Sequence, residues 1–88
     1  MELTFNIELN MPKYTQYSLA RDCCKKGDVI VRNGDYYAIL NKRDLSSLVN
    51  SEDIDIRIEA KRLAKELGYA VIPTRDRYEI MPTRRMFN

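Results

Sequence analysis

The sequence predicts an α+β fold, a single small domain in which antiparallel hairpins pack on helices. Three observations predict it. Residues 2–9 alternate between apolar and polar side chains, two pairs of β-rich runs each flank a short turn, and amphipathic stretches between them end at glycine. The predicted element order is β-α-β-β-α-α-β-β. The predicted domain covers residues 1–82, a length that supports one thin core, and residues 83–88 are predicted to be a C-terminal tail.

The N-terminal third predicts a strand followed by a helix. Residues 2–9 have period two, which is typical of a strand with one buried face; its apolar positions are Leu3, Phe5, Ile7 and Leu9. Residues 14–26 carry a weaker helical pattern, with apolar side chains at Tyr17, Ala20 and Cys24. Gly27 then stands where a C-cap glycine is expected.

The segment from Asp28 to Leu40 predicts a hairpin. Its two β-rich runs flank Asn33-Gly34, a dipeptide that accepts the positive φ angles of a type I′ turn. Residues 43–49 then predict a short helix with Leu45, Leu48 and Val49 facing inward.

Residues 51–67 admit two interpretations. A helix over the whole span is favoured, because Ser51 is a suitable N-cap and Gly68 a natural terminator. Its inward stripe would be Ile56, Ala60, Leu63, Ala64 and Leu67, with Ile54 and Ile58 meeting a second surface. The strict alternation of the three isoleucines leaves a strand followed by a helix open. A second hairpin is predicted from residues 69–73 and 77–81, turning at 74–76.

The residue inventory argues against catalysis. The chain has no histidine, and its three glycines are isolated, so a histidine base and a glycine-rich phosphate loop are both excluded. We therefore predict that the protein is not an enzyme and uses no cofactor. Two adjacent cysteines, Cys23 and Cys24, cannot complete a zinc site of the usual kind. The acidic cluster at Glu52, Asp53, Asp55 and Glu59 suits a helix start, so no metal is predicted.

The same inventory predicts a cytoplasmic location without a membrane partner. No apolar run is long enough to span a bilayer, and residues 1–10 lack the pattern of a signal peptide. Adjacent cysteines are poor disulfide partners, so two reduced thiols, at least one of them buried, are expected in a reducing compartment.

Charge is distributed unevenly along a chain whose net charge is only +2. Residues 57–88 hold 8 basic and 4 acidic side chains, whereas residues 1–56 hold 7 basic and 9 acidic ones. The basic C-terminal third favours an anionic partner. Its predicted helix and hairpin resemble the recognition helix and wing of winged-helix DNA-binding domains, and this resemblance implies DNA contacts from Lys61, Arg62, Lys65, Arg75 and Arg77.

These features predict a small regulatory binding protein, with nucleic acid, DNA in particular, as the favoured ligand. The alternative is a protein-directed inhibitor or assembly factor of phage or mobile-element type, such as an inhibitor of host defence. Its interface would include Tyr36, Tyr37 and Arg32, because adjacent strand tyrosines point to opposite faces and one reaches solvent. Convergence of the basic residues on one face favours nucleic acid, whereas pairing with Glu59, Glu66 and Asp76 favours a protein partner.

Residues 18–48 resemble the core of the Phd/YefM antitoxins. The resemblance rests on Gly27-Asp28, the run from Val29 to Gly34, the run from Ala38 to Leu40, and Asp44. It implies a dimeric autorepressor that binds operator DNA and neutralises a toxin through its C-terminal segment. No DNA-contacting residue is carried over from the family. Open sheet edges, together with the alternating segment at residues 2–9, also predict a homodimer.

Overall fold

The structure is a computed structural model that describes residues 2–83. Three helices and four strands follow one another, and the strands form two antiparallel hairpins. In chain order the elements are α1 (Tyr17–Cys23), β1 (Val29–Asn33), β2 (Tyr36–Leu40), α2 (Lys42–Val49), α3 (Ile54–Glu66), β3 (Tyr69–Pro73) and β4 (Tyr78–Pro82). The predicted α+β class is confirmed, and so is the order of these seven elements. Apart from Thr83, the predicted tail lies outside the described residues.

The chain divides into two compact units, Met1–Asp44 and Leu45–Asn88. The N-terminal unit contains α1 and the β1–β2 hairpin. The C-terminal unit contains α3, the β3–β4 hairpin and the larger part of α2. At the start of α2, the Asn41 side chain accepts from the Asp44 N–H at 2.7 Å while Asp44 accepts from the Asn41 N–H at 3.1 Å. This reciprocal pair satisfies amides that the first helical turn leaves without partners.

Residues 2–9 keep the predicted alternation of burial but form only one bridge of a strand ladder. Phe5 and Leu9 are buried, Leu3, Thr4 and Ile7 are half-buried, and Glu2, Asn6 and Glu8 are exposed. The backbone pairs in parallel with Arg32 alone, through the Phe5 N–H to the Arg32 C=O and the Arg32 N–H to the Leu3 C=O, both at 2.8 Å. From the Phe5 carbonyl onward, the backbone of this segment forms hydrogen bonds with a side chain and not with a neighbouring strand.

That side chain is Asn33, the one polar residue among the buried described positions, with 8% of its surface exposed. Its amide nitrogen donates to the Phe5 and Ile7 carbonyls at 2.8 and 2.7 Å, and its oxygen accepts from the Leu9 N–H at 3.0 Å. One amide thus satisfies three backbone groups that a continued ladder would otherwise pair.

The predicted type I′ turn at Asn33-Gly34 is wrong by one position. Asn33 pairs with Tyr36 in the hairpin register, so the two-residue loop is Gly34-Asp35. Only glycines among the described residues have positive φ, and Gly34 has φ 69°. Glycine at the first loop position, with negative φ at the second, matches a type II′ turn. Asn33 stays in β1, where its side chain reaches the N-terminal segment.

Helix α1 is shorter than the predicted span of residues 14–26. It cannot begin at Tyr14, because the Tyr14 backbone pairs with Tyr37 at the edge of β2. Its C-cap is Cys24 rather than Gly27. Gly27 has φ 91° in a turn closed by the Asp28 N–H and the Lys25 C=O at 2.9 Å. Ala20 is its only buried side chain.

The two cysteines are free, as expected, but neither is buried. Cys23 is exposed and Cys24 is half-buried, since the short helix turns only Ala20 inward.

Partial burial, together with a hydrogen bond to Cys23, raises the pKa of Tyr14 above its usual value.

Helix α3 settles the ambiguity of residues 51–67 in favour of the helix. Its N-cap is Asp53 rather than Ser51, because the Asp53 carboxylate accepts from the Asp55 N–H at 2.9 Å and the Ile56 N–H at 3.3 Å. The Ser51 hydroxyl instead accepts from the Asp53 N–H. Its C-cap is Leu67, and Gly68, the next residue, has φ 88°. Its buried stripe, as predicted, includes Ala60, Leu63 and Ala64.

The β3–β4 hairpin follows the predicted second hairpin closely, with β4 displaced by one residue. Prolines occupy the last positions of both strands, Pro73 opposite Tyr78 and Pro82 opposite Tyr69. Asn50, just after α2, donates to the Tyr78 C=O at 2.9 Å and accepts from the Tyr78 N–H at 2.7 Å. It also donates to the Ser46 C=O at 2.9 Å, so it ties α2 to the edge of β4.

Candidate interaction surface

Three of the five basic residues predicted to contact DNA already interact with other side chains of the protein. Arg62 lies between two carboxylates of its own helix: its Nε donates to Glu59 and its Nη1 to Glu66, each at 2.7 Å. The hydrogen bond to Glu59 raises the pKa of Arg62 above its ordinary value. The guanidinium is therefore held along the helix by i,i+3 and i,i+4 pairs.

Two more of these residues also have partners within the C-terminal unit. The Lys61 ammonium lies 3.7 Å from the centroid of the Tyr78 ring, in cation–π geometry. At the hairpin turn, Arg77 Nη2 donates to the Ser46 hydroxyl at 3.3 Å. Lys65 and Arg75 are exposed. The pairing of Arg62 with Glu59 and Glu66 is the arrangement that favours a protein partner; Asp76 forms no ion pair among the described residues.

The solvent side of α3 exposes two isoleucines, Ile54 at 59% and Ile58 at 61% of their surface. At about 100° per residue, they project within about 40° of each other around the helix axis. Lys61 and Lys65 fall in the same sector by that spacing. We call the surface formed by Ile54, Ile58, Lys61 and Lys65 the α3 face. The sequence-based expectation that the isoleucines meet a second surface is not fulfilled within the described chain.

The two flanks of the α3 face differ in charge. Helical spacing puts Arg57 on one flank, and Asp55, Glu59 and Glu66 on the other. Arg62 already binds two of these three acids. The α3 face is therefore an apolar centre with a cationic side, which complements an apolar surface rimmed by carboxylates.

The three predicted protein-interface residues belong to the N-terminal unit and point to two faces of its hairpin. Arg32 and Tyr37 are opposite each other in the register, with the guanidinium carbon 5.9 Å from the ring centroid. Both also approach Glu2, the guanidinium at 3.8 Å and the Tyr37 hydroxyl at 3.5 Å. Tyr36 points to the other face, where Lys13 lies 5.5 Å from its ring centroid. The structure thus brings Arg32 and Tyr37 together and leaves Tyr36 apart.

Arg32 and Tyr37 line a groove of about 340 Å³ between α1 and the hairpin. Tyr17 of α1 meets the Tyr37 ring edge to face, with the centroids 5.6 Å apart. Arg21 of the same helix and Cys24, its C-cap, also line the groove. The groove holds charges of both signs and has no unpaired buried polar side chain among the described residues.

Within 2–83, no group of three acidic or cysteine side chains is arranged to hold a metal ion. None of the described helices combines the length and apolar character that crossing a membrane requires.

Comparison of the chain with protein-family models, curated proteins and solved structures gave no match. The resemblance of residues 18–48 to the Phd/YefM core therefore stays a prediction.

Proposed function

We propose that this chain is a small non-catalytic regulatory protein that acts by binding another protein through the α3 face. The observation that carries the proposal is the exposure of Ile54 and Ile58, each about three-fifths accessible, side by side on one helix. Burying the exposed three-fifths of each side chain in a partner would contribute about 1–2 kcal/mol. A helix that offers apolar residues at i and i+4 suits an apolar groove.

The charges around the isoleucines specify the chemistry of this partner. Lys65 shares their sector and is exposed, and Lys61 shares it while its ammonium lies over the Tyr78 ring, so the groove that receives α3 should carry acidic residues along one rim. Arg62 supports a protein partner over nucleic acid, since its guanidinium already binds two carboxylates and would have to release them to reach phosphates. An inhibitor or assembly factor that acts on a protein would use such a surface.

Capture from an extract of the source cells tests the proposal with three forms of the full chain. These are the wild type, Ile54→Glu/Ile58→Glu, and Lys65→Ala/Arg75→Ala/Arg77→Ala, each presented before and after nuclease treatment. We expect one protein to be retained by the wild type and, more weakly because Lys65 is missing from the α3 face, by the triple variant. The double glutamate variant should lose it, because two carboxylates cannot enter an apolar groove with an acidic rim. Both variants replace exposed residues and should leave the thermal midpoint nearly unchanged.

Nucleic-acid binding is the second candidate, favoured by exposed Lys65 and Arg75 in a helix-hairpin order that resembles a winged helix. The same capture distinguishes it. Retention of nucleic acid that is removed by nuclease, lost in the triple variant and weakened steeply by salt would favour this candidate and contradict the α3 proposal.

A further inference from the structure

The two outer edges of the C-terminal hairpin differ in how many backbone N–H and C=O groups they offer to another strand. Two hydrogen bonds bracket its ladder: the Thr74 N–H donates to the Arg77 C=O at 2.7 Å, and the Thr83 N–H to the Gly68 C=O at 3.0 Å. Hydrogen-bonded and non-hydrogen-bonded pairs alternate in an antiparallel ladder. The outward-facing groups therefore belong to residues 69, 71 and 73 on β3, and to residues 78, 80 and 82 on β4.

The outer edge of β4 is closed at both ends. Tyr78 has its outward N–H and C=O bound by the Asn50 side chain, and Pro82 has no N–H to offer. Only Ile80 remains between them, too short a run to pair with another strand. The Asn50 side chain and Pro82 therefore block the pairing of β4 with a further strand.

The outer edge of β3 is open over two successive outward residues. The N–H and C=O groups of Tyr69 and Val71 face away from β4, and no hydrogen bond within residues 2–83 uses them. Pro73 ends the open stretch at the turn. Beside it lies the half-exposed outer face of the hairpin, where Ala70 is opposite Met81 and Met81 is 42% exposed.

We propose that β3 is the docking edge for a second copy of this chain, forming a closed dimer with strand order β4-β3-β3-β4 across a two-fold axis. The edge is self-complementary: in an antiparallel register centred on Ala70, Tyr69 of each copy pairs with Val71 of the other, and every outward group of both residues is used. Pro73 stays outside this ladder. Assembly stops at two copies, because the β4 edges on the outside are blocked.

Charge reversal at the two-fold axis tests the proposal. The two Ala70 residues would be directly opposite each other in a non-hydrogen-bonded pair, with Cα atoms about 4.5 Å apart. We expect sedimentation of the full-length wild type to reveal a dimer, with the dissociation constant raised by about tenfold or more in Ala70→Lys and in Ala70→Glu because like charges meet. Mixing the two variants should restore a heterodimer, which a folding defect could not do.

The control is Glu79→Lys, on the same outer face but on β4, which should leave the dimer intact. As an independent measurement, Ala70→Cys in a Cys23→Ser/Cys24→Ser background should oxidise to a disulfide-linked dimer, since the opposed Cα atoms lie within disulfide reach. A wild type that stays monomeric at high micromolar concentration, or variants that do not recombine when mixed, would overturn the proposal. Either result leaves the α3 proposal standing, since β3 and the α3 face are separate surfaces.

Discussion

Replacing Asn33 by alanine is expected to lower the free energy of unfolding by about 3 kcal/mol, because buried groups lose their hydrogen-bond partners. The Asn33 amide binds the carbonyls of Phe5 and Ile7 and the N–H of Leu9, all within 3.0 Å. Alanine leaves these three backbone groups to find water or stay unsatisfied. Chemical denaturation monitored by circular dichroism measures the loss, with Asn10→Ala, at an exposed position, as the matched control.

Asn33→Asp separates the donor role of this side chain from its size. The carboxylate can still accept from the Leu9 N–H but cannot donate to the two carbonyls, and its charge would lie against their oxygens. We expect it to be at least as destabilising as alanine at neutral pH and to recover partly in acid, where the protonated group can donate one hydrogen bond. A loss below about 1 kcal/mol for alanine, the usual scale of a surface change, would contradict the role assigned to Asn33.

Replacing Asn50 by alanine is expected to have two effects in the C-terminal unit. The first is a loss of stability of about 2 kcal/mol, since the Tyr78 N–H and C=O and the Ser46 C=O lose a partner that is half-buried. The second is a change in assembly: with the β4 edge unblocked, copies can add beyond the dimer, so larger species should appear as concentration rises.

Denaturation and sedimentation velocity together measure these two effects. Ser47→Ala, an exposed change on the same helix, is the control and should alter neither. Stability equal to that of the wild type would show that Asn50 does not tie α2 to β4. If the Asn50→Ala variant is destabilised but never forms species larger than the dimer, Asn50 does not block strand pairing at the outer edge of β4.

The sequence patterns that predicted the fold are those set by neighbours a few residues apart. The hairpins, the buried stripe of α3 and its terminator at Gly68 were predicted because β-rich runs, helical spacing and glycine act locally. The roles of Asn33 and Asn50 do not follow from the sequence, since the partners of Asn33, and Tyr78 as the partner of Asn50, lie 24 to 28 residues away in the chain. Nothing local distinguishes an asparagine that binds a distant strand from one in an ordinary turn.

The candidate surfaces were predictable only in part. Ile54 and Ile58 were marked as apolar positions outside the buried stripe, but spacing alone could not tell whether another segment covered them. Arg62 was assigned to DNA although Glu59 and Glu66 lie at i−3 and i+4, where helical pairing is expected. The spacing of Pro73 and Pro82 could have indicated the edge positions of the second hairpin, once its register was known.

The most direct test of the α3 proposal is photo-crosslinking in the source cells with p-benzoylphenylalanine at position 58. The matched control carries the same probe at Glu52, an exposed position just before α3. We expect a discrete protein adduct from position 58, absent from position 52 and abolished by adding Ile54→Glu. Adducts with nucleic acid, or the same adducts from both positions, would contradict the assignment of the α3 face to a protein partner.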